Sequence, residues 1–283
     1  MDGESFIAMP ELPETETMAR DLDREIAGRS IERVVVHRRD VLREIGARSL
    51  CARLTGTTIL RSWRRAKLVV LDISTADRVV VQPRFTGALL LDRGALPESE
   101  RRFSTVELSL GPDLTLHYRD IRRLGTVTLM RPERWTEYES RLGVEPLDRS
   151  FTDSYLSALV RGSTQAIKKV LMDQRRVAGI GNIYANEALW RARVDPSRVA
   201  RSLSATELNA LHGAVQDVLN EAVASRGTSF RDYRDPTGER GTFAQRLLVY
   251  GRGGQSCVRC SARLVETHAI DGRSTVLCVW CQR

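Results

Sequence analysis

The spacing of apolar positions changes twice along the chain, and those changes divide it. Leu12, Thr15, Met18, Ala19, Leu22 and Ile26 lie on one face at helical spacing, so a leading helix is expected, stopped by Gly28. Pro13 fits its first turn, where a missing N–H costs nothing, and Glu14 and Glu16 complement the positive helix end. From Ile31 to about Met130 the runs become β-branched or alternating. Segments 31–36, 58–63, 68–73, 79–82, 88–92, 106–110, 115–118 and 126–130 read as strands separated by turn residues, and strands at this spacing suggest a β-sandwich. The strand signals stop over 132–148, where a linker is expected. Helical spacing then returns over 155–161, 166–174 and 182–193. Ser204 and Glu207 form a capping-box pattern ahead of Leu208, Leu211, Val215, Val218, Leu219 and Val223. Residues 226–246, rich in Gly, Arg and Asp, read as a mobile loop. Residues 1–8 are polar and aperiodic, and read as a disordered extension.

Composition narrows the partners. A chain of 283 residues has room for two modest domains and a small appended module, and its formal net charge of +8 suits a polyanion. No apolar run approaches the roughly 18 residues of a membrane span. The first residues lack the basic and apolar segments of a signal peptide. A soluble, intracellular protein is expected.

Four of the five cysteines fall in two pairs, Cys257-Val-Arg-Cys260 and Cys278-Val-Trp-Cys281. Two such knuckles a hairpin apart can supply four thiolates to one tetrahedral structural Zn2+. Four thiolates leave no open coordination position, so this metal is expected to have no catalytic role. The segment 264–277 between the knuckles can form a β-hairpin, with Arg273 near its tip after Gly272. Cys51 stands alone, and an odd cysteine argues against a disulfide framework.

Met9-Pro10-Glu11-Leu12-Pro13-Glu14 resembles the mature start of the formamidopyrimidine-DNA glycosylase family, whose nucleophile is an N-terminal proline. The resemblance extends to Cys281. Arg64-Arg65-Ala66-Lys67 is similar to the segment bearing a Lys that assists elimination. Asp120-Ile-Arg122-Arg123-Leu124-Gly125 is similar to the intercalation loop. Ala166-Ile-Lys168 and the run from Val177 through Gly181-Asn182 to Glu187 are similar to the helix–two-turns–helix element. Val249-Tyr250-Gly251-Arg252 leads into the finger as in the family.

The resemblance implies the following roles. Pro10 attacks the sugar C1′ as a secondary amine, Glu11 acts as general acid/base on the ring oxygen, and Lys67 assists elimination. An α-amino group titrates near about 8 against about 10.4 for Lys, so more of it is nucleophilic at neutral pH. Arg122 faces the orphaned cytosine. Phe85 and Leu124 fill the space left by the extruded base, Lys168 and Asn182 contact phosphate, and Arg273 grips phosphate and is linked to δ-elimination. Glu14 is the pocket carboxylate near the flipped base, and 229–241 correspond to the loop that closes over it. The substrate would be duplex DNA carrying oxidised purines, bent between the domains. The protein would be a monomer of the bacterial cytoplasm, meeting the nucleoid during repair, with no organic cofactor.

The chain departs from the family pattern at four places. Pro10 is preceded by nine residues, and an internal proline nitrogen is an amide without a nucleophilic lone pair. The family's His-Leu-Gly-Met-Ser-Gly segment reads Gln82-Pro83-Arg84-Phe85-Thr86-Gly87. Leu124 stands where a Phe wedge is common. The DNA-contacting His stretch reads Phe103-Ser104-Thr105.

The expected fold is α+β: a catalytic β-sandwich domain with its leading helix over 10–135, a helix–two-turns–helix domain with the capping loop over 145–246, and a zinc finger over 247–283. Residues 1–9 are then an extension or a mis-assigned start. Two alternatives stay open. One is a zinc-finger DNA- or lesion-binding protein without catalysis, if the extension is retained. The other is an endonuclease VIII-like enzyme for oxidised pyrimidines, against which Leu12 and the Gly-Ile-Gly-Asn-Ile-Tyr run argue.

Overall fold

The computed structural model describes residues 9–228, 236 and 241–283. The stretch read as a disordered extension and most of the expected capping loop lie outside the described residues. The chain forms two compact units, residues 1–140 with 226–242, and 141–225 with 243–283.

In the first unit, helix α1 (Leu12–Ile26) leads into two sheets. One has four strands in the order β1-β7-β8-β6, with β1 Arg33–Val36, β6 Gly87–Asp92, β7 Ser104–Ser109 and β8 Thr115–Asp120. The other has five in the order β2-β9-β5-β4-β3, with β2 Leu42–Arg43, β3 Ile59–Arg65, β4 Leu68–Ile73, β5 Arg78–Gln82 and β9 Thr126–Met130. Every pairing is antiparallel except β2 with β9. Alternate residues of both sheets face one core, Leu89, Val106, Leu108 and Leu116 against Val69, Leu71, Val79 and Val127, as two packed sheets require. Met18, Leu22 and Ile26 of α1 join that core. The expected sandwich is present.

Two helices in this unit differ from the sequence expectation. Helix α2 (Ala47–Leu54) buries only Leu50 and Leu54, too few apolar marks to reveal a helical period. Helix α4 (Pro132–Glu139) occupies much of the expected linker. Pro132 stands in its first turn, and the buried Trp135 meets Trp63 edge-on at 5.4 Å. A single turn, α3 (Glu98–Arg101), precedes β7.

The second unit contains α5 (Asp153–Val160), α6 (Ile167–Met172), α7 (Asn182–Arg191) and α8 (Ala205–Ala224). The Ser204–Glu207 capping box is formed: the Glu207 backbone N–H donates to Ser204 Oγ at 3.3 Å, and Ser204 N–H to Glu207 Oε2 at 2.7 Å. The cysteine module belongs to this unit, with strands β10 (Val265–Thr267) and β11 (Thr275–Leu277) pairing as the expected hairpin. Leu264, Val276 and Val249 pack with Trp190 of α7 in a small core of their own. Residues 226–242, assigned from sequence with the helices, group instead with the first unit.

Candidate active site and nucleic-acid interface

The residues expected to supply the nucleophile and its acid/base partner lead into α1. Glu11 is the N-cap residue and Pro10 precedes it, both buried. Glu14, one turn on, accepts a hydrogen bond on Oε2 from the Glu11 backbone N–H at 2.9 Å. Its other oxygen accepts from the Thr228 N–H at 2.6 Å. Glu14, expected to face an extruded base, thus has a backbone donor on each oxygen.

Lys67 lies in the two-residue turn joining β3 to β4, since Arg65 pairs with Leu68. Ala66 there has φ +53°, the left-handed conformation that a two-residue hairpin turn demands. Arg64 fastens this turn to α1: its Nε donates to Glu16 Oε2 at 2.6 Å, and its Nη1 to the Ala66 carbonyl at 3.1 Å. Burial opposes ionisation of Glu16, but Arg64 and Arg20 outweigh it and hold the carboxyl below the usual range. Lys67 and the Pro10–Glu11 turn therefore sit in one unit, tied through the same helix.

Phe85 and Arg122 occupy neighbouring turns that Asp120 locks together. The buried Asp120 accepts from Thr86 Oγ1 at 2.5 Å and from the Gly125 N–H at 2.8 Å. Thr86 Oγ1 in turn accepts from the Arg122 N–H at 2.9 Å. Burial, reinforced by Asp120, pushes the Tyr118 phenol well above its ordinary pKa, so it stays a neutral donor to Asp120. On this base the Arg122 guanidinium lies 5.3 Å from the half-buried Phe85 ring, and Leu124 projects at 39% exposure. Beside the same turn, where the family His is missing, Arg38, Arg102, Phe103 and Arg123 line a pocket of about 650 Å³. Sequence reasoning missed Arg38 and Arg102, since short arginine pairs recur through a basic chain and single out no site.

In the second unit Asn182 opens α7 after Gly181. Its Nδ2 donates to the Ser274 carbonyl at 3.0 Å, beside the exposed Arg273. Lys168 is fully buried, and its Nζ donates to the Ser274 carbonyl at 2.9 Å and Thr275 Oγ1 at 2.7 Å. Lys168 and Asn182 converge on the root of the finger hairpin. A third anchor was not anticipated: buried Glu187 accepts from the backbone N–H groups of Leu248, Val249 and Tyr250 at 2.9 to 3.1 Å.

The sulfurs of Cys257, Cys260, Cys278 and Cys281 all lie within 4.8 Å of one another, a group able to hold a metal ion. The chemistry of the set fits a cation. Burial opposes ionisation of Cys257, but the Arg259 and Cys260 N–H groups prevail and hold it at about 6. Burial and the neighbouring thiols push Cys281 up to about 12. One thiolate thus disfavours the next, a conflict that a bound divalent cation removes. Among the described residues no helix is long and apolar enough to cross a membrane.

Comparison with known proteins places the chain in a family. Residues 9–127 match the formamidopyrimidine-DNA glycosylase N-terminal domain, and 142–234 match the formamidopyrimidine-DNA glycosylase H2TH domain. A formamidopyrimidine-DNA glycosylase of Carboxydothermus hydrogenoformans is 39% identical over 97% of this chain and 100% of its own length. A Lactococcus lactis Fpg variant, solved with DNA containing Fapy-dG, superposes with a TM-score of 0.89 at 31% identity, covering 97% of this chain and 100% of that one. Another L. lactis Fpg structure, with DNA containing an oxidised pyrimidine, gives 0.88 at 30% identity, over 97% and 100% of the two chains. The fold is that of a base-excision-repair DNA glycosylase. The chain belongs to the formamidopyrimidine-DNA glycosylase family.

Proposed function

We propose that the protein excises oxidised purines, 8-oxoguanine and formamidopyrimidines, from duplex DNA and then cleaves the strand by β,δ-elimination through a Schiff base on Pro10. The observation that carries this reading is the Pro10–Glu11 turn at the head of α1, at the point where the family match opens, residue 9. Extrusion of the damaged nucleotide costs a few kcal/mol, least for a damaged pair. Phe85, Leu124 and Arg122 take the vacated space, with Arg122 donating to the orphaned base.

The chemistry runs as two exchanges. The Pro10 nitrogen attacks C1′ and gives up its proton, the glycosidic bond breaks, and the base leaves with its electron pair and takes up that proton, directly or through solvent. Glu11 protonates the ring oxygen, the sugar opens, and the C1′–N bond becomes an iminium. That cation acidifies the C2′ proton. Its loss, assisted by Lys67, expels the 3′ phosphate, and a second elimination expels the 5′ phosphate. Arg273 neutralises phosphate charge, and Asn182 at the start of α7 contributes a further donor. Lys168 acts through the hairpin root that it holds. Arg38, Arg102 and Arg123 supply the positive charge beside the intercalating turn.

The four cysteines would hold one structural Zn2+, which supplies the fixed point that orders the hairpin carrying Arg273. The protein acts as a monomer in the cytoplasm. The active form begins at Pro10, because only then is the nitrogen an amine.

Borohydride trapping on an 8-oxoguanine duplex tests the reading. The form beginning at Pro10 traps, the full chain shown by mass to retain Met1 binds without trapping, and Pro10→Gly traps poorly. Equal trapping by the full chain removes Pro10 as nucleophile and points to Lys67. An intact mass showing residues 1–9 retained in the cell, without trapping, leaves a binding protein. Faster excision of oxidised pyrimidines than of 8-oxoguanine in a lesion panel would replace the purine assignment.

A further inference from the structure

We propose that Glu14 is a positioning residue, its carboxylate fastening the 226–228 turn to the Pro10–Glu11 turn and so setting the geometry of the nucleophile. The proposal rests on Pro10 being that nucleophile.

Glu14 is 2% exposed, and its two oxygens face two backbone donors that lie far apart in sequence. Oε2 takes the Glu11 N–H, the peptide that joins Pro10 to Glu11. Oε1 takes the Thr228 N–H, 214 residues away in sequence. Both are charge-assisted bonds to a carboxylate, roughly twice as strong as neutral ones. The surroundings leave the carboxylate no slack. Gly227 has φ +80° and lies against it, so that a Cβ there would stand 2.8 Å from Oε1 and 2.9 Å from Cγ.

The turn is tied to the same helix a second time. Arg226, itself at φ +60°, pairs with the buried Asp21 of α1. Thr228 also bridges to Thr242. A displacement at 226–228 is therefore delivered to the Glu11 N–H through one rigid carboxylate. Misplacing a reacting group by about 1 Å can cost on the order of 100-fold in rate.

A glutamine in this place cannot serve both donors. It offers one oxygen, and its NH2 group would face an N–H. One tie breaks while size and helix position are kept.

The experiment separates positioning from base contact by using a substrate with no base. Glu14→Gln and Gly227→Ala are prepared in the form beginning at Pro10 and in the full chain. Each is assayed for single-turnover excision on an 8-oxoguanine duplex and for borohydride trapping on a preformed abasic duplex. Trapping is read as a rate at saturating protein, alongside Kd for the abasic duplex and the thermal midpoint. In the form beginning at Pro10, both variants are expected to trap at least about ten-fold more slowly, with Kd for abasic DNA within about three-fold, as a misplaced nucleophile requires. The double variant is no slower than Glu14→Gln alone, because both act on one tie. Parent-rate trapping in both variants, with loss confined to base excision, overturns the proposal and returns Glu14 to a base contact. Gly227→Ala keeps the carboxylate, so it alone decides if Glu14→Gln fails to fold. If the unsubstituted form beginning at Pro10 does not trap, the nucleophile reading falls first and takes this proposal with it.

Discussion

Lys168 gives the sharpest test of how the finger is held. The family resemblance makes it a phosphate contact, yet its side chain is fully buried and its ammonium bonds Ser274 and Thr275, next to Arg273. Consider Lys168→Met, which keeps the volume and removes the donors. Two hydrogen bonds from a charged group are worth about 1.5–3 kcal/mol each. Desolvating the ammonium had cost several kcal/mol, part of which the substitution returns. A net loss of about 1–3 kcal/mol follows, a fall of several degrees in thermal midpoint. For DNA, each neutralised phosphate contributes about 0.9 to the slope of log K against log salt. If Lys168 touched phosphate directly, Lys168→Met and Arg273→Ala would each flatten the slope by about 0.9, and the double variant by about 1.8. If Lys168 holds the hairpin that carries Arg273, the double variant loses no more than Arg273→Ala alone. The assay is salt-titrated binding of a duplex by all four proteins. Additive slopes with an unchanged midpoint would refute the anchoring role.

Other perturbations follow from the same geometry. Cys257→Ser or Cys278→Ser is expected to release zinc and abolish DNA binding while most helix signal in circular dichroism remains; wild-type zinc content in either variant would contradict a closed four-thiolate site. Arg122→Ala and Phe85→Ala are expected to slow lesion excision by about 10- to 100-fold, the 1–3 kcal/mol of a base contact, with a smaller effect on undamaged duplex; equal losses on both would mean ordinary phosphate contacts. Burial lowers the pKa of His117, Glu107 and Asp92 oppose that, and Arg101 and His37 reinforce it. A His neutral in the fold contributes stability fully above its unfolded pKa, near 6.5, and loses it as pH falls through the lower folded value. The thermal midpoint is thus expected to fall between pH 7 and 5, and less steeply in His117→Gln; parallel curves would remove His117 as the cause.

What could be read from the sequence was whatever repeats locally. The segments 68–73 and 126–130 coincide with β4 and β9, because strands buried in a shared core are marked by apolar runs bounded by turns. The cysteine pairs were legible because metal geometry constrains their spacing. Helices α2 and α4 were not, since Leu50, Leu54 and Trp135 are their only buried residues. Polar contacts across long separations leave no local mark at all. Thr86 and Asp120 are 34 positions apart, Glu14 and Thr228 are 214, and nothing in their immediate neighbours announces either pair. Lys168 shows the complementary failure: its basic side chain reads as surface, while its surroundings make it an internal strut.

The two turns that carry Phe85 and Leu124, where the chain departs from the family pattern, are joined directly. Gly125 lies directly against the Tyr118 hydroxyl and the Gln82 and Pro83 carbonyls, so the 83–86 and 121–125 turns touch through a position that accepts no side chain. Asp120 bonds both, through Thr86 on one side and Gly125 on the other. Phe85 and Leu124 therefore stand on two turns held by one carboxylate. The aromatic choice at 85 has a further consequence. A planar guanidinium stacks on a ring face, and Arg122 lies over Phe85 while its backbone N–H is held by Thr86. The Arg122 side chain, expected to donate to an orphaned base, is thus partly ordered in the free protein. Ordering a flexible side chain costs about 0.5–1.5 kcal/mol on binding, and that cost is reduced here by a contact that a methionine at 85 would make less well.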